Sequence, residues 1–176
     1  AGGSGRSDRR SGIRARRGVR EVRSYRLEEA AELGALFHAA VREGARRKYT
    51  EAQLAAWSPA PHAPEDWGAR LAAADTVVAR DARGALGFMS MAAGGYLDLA
   101  YVRSDVMGTG VAGVIYAVLE GRARARGLDL LTVQASLLAE PFLARRGWVL
   151  TERQVIERRG VRLPNARMEK RLSPPG

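Results

Sequence analysis

The stretch "YVRSDVMGTGVAGVIYAVLE", residues 101–120, passes from a strand-like end through paired glycines into an apolar helix. Within it, Gly108-Thr109-Gly110-Val111-Ala112-Gly113 satisfies G-x-G-x-x-G, the pattern that cradles the pyrophosphate of a dinucleotide. Glycines at a helix start let main-chain N–H groups crowd around an anion, and the helix dipole adds to the attraction. Few other residues offer chemistry. There is no cysteine, which excludes disulfides, thiolate metal sites and a cysteine nucleophile. His38 and His62 are the only imidazoles, thin support for a zinc site or a serine-histidine-acid triad, so no metal is expected. Asp98 stands inside an otherwise apolar run, a place where strands disfavour aspartate. Tyr49, Gln53 and Trp57 fall at i, i+4 and i+8, on one face of a helix, and an amide on such a stripe needs a partner.

The elements that must position these residues alternate between two periods. "EVRSY" reads as a first strand near Glu21, and "RLEEAAELGALFHAAVREGARR" as an amphipathic helix. "YTEAQLAAWSP" predicts a short second helix, with Thr50 as N-cap, Gln53 closing a capping box and Pro59 ending the run. "PHAPEDWGARLAAA" adds a proline-punctuated loop and further helical turns. From Asp75 the period becomes two: Thr76 to Arg80 and Ala85 to Ala92 form a hairpin around "DARG", and Tyr96 to Val102 is a third strand. Leu86 and Phe88 are expected on one face of the middle strand, Met89 and Met91 on the other, so this strand is placed centrally. A helix follows the glycine pair and ends near Gly127. "LDLLTVQAS" reads as a strand, "LLAEPFLARRG" as a short helix, and the remainder as two long strands around Arg159-Gly160. One α/β domain of mixed topology is expected.

A dinucleotide fold needs its first glycine directly after a strand, and an acid about 20 residues on at the end of the next strand. Residues 103–107 intervene here, and Ala135-Ser136 stand where the acid belongs. The loop is therefore assigned to a different diphosphate-bearing cofactor. "YVRSDVMGTGVAGVIYAVLE" resembles motif A of the GNAT (Gcn5-related) N-acetyltransferases, in which a strand end is followed by [QR]-x-x-G-x-[GA] and a helix. Met107, Gly110 and Ala112 occupy the three defined positions. "VVARDARGALGFMSM" is similar to the family's hairpin, "SLLAEPFLARRGWVL" to its late helix and "REVRSYRLEEAAELGALF" to its opening. The resemblance covers about residues 20 to 172, and the full set is most similar to the YafP-like branch of small bacterial acetyltransferases.

The resemblance implies the acyl-CoA N-acyltransferase fold: a central, mixed, twisted sheet of about six to seven strands flanked by helices, spanning residues 20–173. It implies acetyl-CoA as cofactor and direct transfer of its acetyl group to a primary amine, on a small molecule or a protein. The main-chain N–H groups of Met107, Gly108, Thr109, Gly110, Val111 and Ala112 would bind the pyrophosphate. Tyr101 and Val102, at a splayed strand end, would pair with the pantetheine arm. Met107 stands where Gln or Arg is usual, which removes a side-chain contact and leaves the main-chain cradle. In several branches the base lies on the strand leading into motif A, which here makes Asp98 the acidic candidate, with Tyr96 beside it. The tyrosine that often serves as general acid is replaced by Leu143. Tyr49, Gln53 and Trp57 would border the acceptor.

The chain of 176 residues is 46% hydrophobic, 27% charged and carries a net charge of +10. Residues 1–20 hold seven arginines and one aspartate, and residues 1–19 are read as a disordered basic tail. No aromatic residue interleaves with these arginines, so nucleic acid is not expected as a partner. A nucleic-acid or ribosome-associated module and a catalytically silent acyl-CoA-binding protein are the competing readings. With no apolar run of bilayer length and no secretory h-region, a cytoplasmic monomer or homodimer without membrane contact is expected.

Overall fold

A computed structural model describes residues 18–172. The element order is β1 (Glu21–Ser24), α1 (Ala30–Ala39), α2 (Glu51–Trp57), α3 (Pro64–Ala72), β2 (Asp75–Asp81), β3 (Gly84–Met91), β4 (Tyr96–Val102), α4 (Val111–Ala125), β5 (Leu130–Ser136), α5 (Glu140–Ala144), β6 (Val149–Arg158) and β7 (Val161–Arg171). The seven strands form one sheet in the order β1-β2-β3-β4-β5-β7-β6. All neighbours are antiparallel except β4 and β5, which the α4 crossover makes parallel. The tail expected at residues 1–19 lies largely outside the described residues. Of the residues leading into β1, Val19 packs on the core and the Arg20 amide donates to the Arg80 carbonyl at 2.9 Å.

The sheet is covered on both faces. On one, α4 sets Ile115 and Leu119 against Val77, Met89 and Leu131, joined by Leu143 of α5 and by Trp148. On the other, α1, α2 and α3 bring Leu33, Phe37, Leu54, Trp67 and Leu71 onto Val78, Phe88, Leu99 and Leu163. Burial of apolar surface in these two layers is the dominant stabilising contribution. The capping box on α2 forms as its residues predict: the Thr50 hydroxyl accepts from the Gln53 amide N–H, and Gln53 Oε1 accepts from Thr50 N–H at 2.9 Å.

Two β-bulges change which side chains share a face. Ala79 pairs with Gly87 and Arg80 with Ala85, so Leu86 is an extra residue on β3. Leu86 therefore joins Met89 and Met91 in the α4 layer instead of sharing the opposite face with Phe88. This corrects the strict alternation read along β3. Ser90 pairs with Leu99 and Met91 with Leu97, which leaves Asp98 as the extra residue on β4. Beyond that bulge Ala100 and Val102 pack on the α4 layer, while Leu99 and Tyr101 pack on the layer of α1 to α3.

The parallel pair is short. Among the described residues, β4 and β5 pair only at Tyr96↔Thr132 and Leu97↔Val133, although β4 continues to Val102 and β5 to Ser136. Past Leu97 the two strands diverge, and the sheet opens.

Candidate active site

The opening between β4 and β5 has a cavity on each side. The first, about 170 Å³, is lined by side chains that include Tyr49, Trp57, Arg70, Tyr96, Asp98, Tyr101, Arg158 and Asn165. The second, about 210 Å³, reaches toward the start of α4 and includes Met89, Val102, Met107, Gly108, Ala112, Phe142 and Arg145. Trp57, Ala100, Tyr101, Ser136 and Ala139 line both, so the two cavities share a wall where β4 parts from β5.

The second cavity ends at the loop that the glycines build. Gly108 has φ +76° and Gly110 φ +96°, conformations that a side chain resists. Gly110 is the N-cap of the fifteen-residue α4, whose first amides have no acceptor within the helix. The amides of Met107 and Thr109 donate to Ser104 O and Val106 O. Of the amides expected to form a cradle over Met107 to Ala112, those of Gly108, Gly110, Val111 and Ala112 have no backbone acceptor among the described residues. Gly113 does something else: a Cβ there would stand 2.7 Å from a guanidinium nitrogen of Arg146, which packs 3.7 Å over the Phe142 ring. The third glycine of the fingerprint makes room for an arginine.

The Met107 side chain is 37% exposed, and its sulfur lies against Gly44, in the π-helical turn Ala40–Gly44 that ends α1. Ala40 and Val41 of this turn, with Ala45 just after it, form the apolar floor of the same cavity. Arg145, exposed at the cavity edge, went unmarked in the sequence reading. The clue was the paired "RR" after the late helix.

In the first cavity Asp98 is held by Arg70 of α3, which donates Nε to Oδ2 at 3.0 Å and an Nη to Oδ1 at 2.9 Å. The bulge explains this reach, since it turns an extra β4 residue toward α3. Arg70 was not singled out from sequence; a cation at the end of a short helix gives no signal of its target. Asp98 is the one carboxylate among the lining residues. Burial pushes the Tyr96 phenol above its ordinary pKa, as does the nearby Asp98, against the opposing effect of Arg70 and Arg158. The Tyr101 phenol is pushed further up by desolvation. Both hydroxyls therefore stay protonated through neutral pH.

The remaining candidates separate. Trp57 lines both cavities. Tyr49 lines the first, but its phenol donates to Pro164 O at 2.8 Å and accepts from Leu137 N–H at 3.0 Å, tying β7 to the loop after β5. Gln53 lines neither cavity; its amide closes the α2 cap and donates to Arg162 O at 2.9 Å. Thr109, Gly110 and Val111 also lie outside the cavity walls, at the loop end. Leu143 is buried in the core at 1% exposure. His62 stacks on Trp67 at 4.5 Å, away from both cavities. Among the described residues no group of acidic residues and histidines is arranged to hold a metal.

This geometry has close counterparts. A family model described as an acetyltransferase (GNAT) domain matches residues 45–172. The uncharacterized N-acetyltransferase YafP of Escherichia coli (strain K12) is 29% identical over 145 residues, 82% of this chain and 91% of its own. A crystal structure from Rhodopseudomonas palustris, described as a GCN5-related N-acetyltransferase (aminotransferase, class-II), superposes with a TM-score of 0.81 at 34% identity. It covers 86% of this chain and 95% of that one. The PaiA N-acetyltransferase of Thermoplasma acidophilum, solved in complex with coenzyme A, gives a TM-score of 0.71 at 12% identity, covering 86% and 98% of the two chains. At that identity the likeness concerns the fold alone.

Proposed function

The chain belongs to the GNAT acetyltransferase family, and from that premise we propose that it moves the acetyl group of acetyl-CoA directly to the primary amine of a small acceptor. The observation that carries this reading is the divergence of β4 and β5, with one cavity on the α4 side, a second on the α3 side, and Tyr101 between them. A two-substrate transfer without a covalent enzyme intermediate needs such a passage.

The α4 loop suits the pyrophosphate of the cofactor. Gly108, Gly110, Val111 and Ala112 offer main-chain donors, Met107 and Thr109 shape the turn, and Arg145 supplies a cation at the edge. The Tyr101 and Val102 main chain, unpaired on the β5 side, suits an extended pantetheine arm laid down as an added strand. Bound there, the cofactor supplies an acyl thioester at the wall shared by the two cavities.

This chain's own groups then have three tasks. An ammonium cannot attack a carbonyl, so one proton must leave the acceptor before its nitrogen bonds to the acyl carbon. Asp98 is the lining carboxylate, and it receives that proton directly or through a water. Arg70 meanwhile fixes its position with two hydrogen bonds. As the carbon–sulfur bond breaks, the nitrogen loses a second proton and the thiolate gains one. Tyr96, a protonated phenol in the same cavity, stands in for the tyrosine that Leu143 replaces. Trp57 and Tyr49 wall the acceptor side and exclude water, and Gln53 supports them by anchoring α2 to β7.

The reading is tested by following free thiol release from acetyl-CoA with a panel of primary amines. Release that depends on an amine, with a product heavier by one acetyl group, is expected. Hydrolysis at a rate indifferent to every amine would refute it.

A further inference from the structure

The acceptor cavity carries an imbalance of charge. Its lining side chains include three ionic groups, Arg70, Asp98 and Arg158. Arg70 and Asp98 satisfy one another through their paired hydrogen bonds. Arg158 has no carboxylate within ion-pair distance among the described residues, and no side-chain hydrogen bond holds it. It stands at the end of β6, two residues from Ile156, and the period of two sets both on the cavity face. Glu157, between them, points to the other face. The influence of Arg158 reaches both Tyr96 and Tyr101, so its guanidinium belongs with the phenols of this cavity.

An acceptor whose only charge is its ammonium would enter a cavity that already holds an uncompensated cation, and a polyamine would fare worse. An anion beside the amine reverses the balance. Arg158 then meets a carboxylate or similar group through charge-assisted, planar hydrogen bonds, while the amine faces Asp98. We propose that the acceptor is a small amine bearing an anionic group, an amino-acid-like molecule, and that Arg158 selects it by binding that group.

The inference rests on the acetyltransferase reading above and specifies the acceptor for the same site. One more polar residue lines this cavity, Asn165, whose Oδ1 is buried without a partner, and Gln154 Nε2 behind it is likewise buried and unpartnered. They sit on directly opposed residues of β7 and β6, so each can serve the other as well as a ligand. Arg158 has no such neighbour, which is why the selection is assigned to it.

The test compares L-amino acids with small, aromatic and acidic side chains against their carboxamides, with spermidine as the polycation, after acetyl-CoA binding has been measured calorimetrically. The amino acids should exceed their carboxamides in kcat/KM by about tenfold or more, mainly through KM. In Arg158→Gln the ratio should fall to within about twofold, with an unchanged melting temperature because the residue is exposed. If acetyl-CoA does not bind, the acetyltransferase reading falls and this one with it. If it binds, three results overturn the acceptor assignment alone: carboxamides or spermidine preferred, a preference that survives Arg158→Gln, or no turnover of any amino acid.

Discussion

Asp98 shows how much chemistry one inserted residue can relocate. In a regular strand its side chain would follow the alternation of β4; as the extra residue of a bulge it reaches Arg70 on α3. Both of its oxygens accept from that guanidinium, so the proposed proton transfer and the positioning of Arg70 meet in one group. The two roles separate by measurement. If Asp98 takes the amine proton, Asp98→Asn should lower kcat by about a hundredfold or more, well beyond the loss in Arg70→Gln. An equal loss in Asp98→Asn and Arg70→Gln would leave Asp98 a positioning residue. The candidacy of Asp98 was legible in sequence because an acid in an apolar strand is conspicuous. Its partner was not, because register slips leave no mark in composition or period.

At the level of elements, a buried polar network ties α4 to the far strands of the sheet. The Tyr116 hydroxyl on α4 accepts from Trp148 Nε1 at 2.8 Å, and Glu120 accepts from Lys170 of β7 at 2.6 Å and from Arg124. Burial alone would push the Glu120 carboxyl up, but hydrogen bonds from Lys170, Tyr116 and Arg124 outweigh it and hold the group at about 2. A depressed carboxyl stabilises the fold fully above its ordinary value of 4.5 and loses that contribution as pH falls toward 2. Glu120→Gln should therefore flatten the acid limb of a stability–pH curve between those limits. Lys170→Met, which removes one of the three hydrogen-bond donors on the half-buried Glu120 carboxylate, should cost about 1 kcal/mol at neutral pH by denaturant unfolding. An unaltered acid limb in Glu120→Gln would show that the network contributes nothing. Nothing in the sequence connects Tyr116 with Lys170, since they stand 54 positions apart. Strand, hairpin and cap signals were readable because they are local: the capping box of α2 and the bounds of β4 follow from adjacent residues.

For the molecule as a whole, the G-x-G-x-x-G letters and the architecture around them point to different cofactors. One parallel pair in an otherwise antiparallel sheet, parted after two residue pairs, opens the sheet between two cavities that share a wall, whereas a dinucleotide fold lays its ligand across the ends of a parallel sheet. Gly110 is the left-handed N-cap of α4, while Gly113 leaves room for the Arg146 guanidinium. The described residues contain no helix long and apolar enough to cross a membrane. Calorimetric titration of acetyl-CoA into the wild type, Gly110→Ala and Gly113→Ala tests this account most directly. It predicts saturable binding at one site, weakened about tenfold or more in Gly110→Ala, and close to wild type in Gly113→Ala because the guanidinium tip can give way. Absence of acetyl-CoA binding, tighter binding of NAD, or equal losses in the two glycine variants would contradict it.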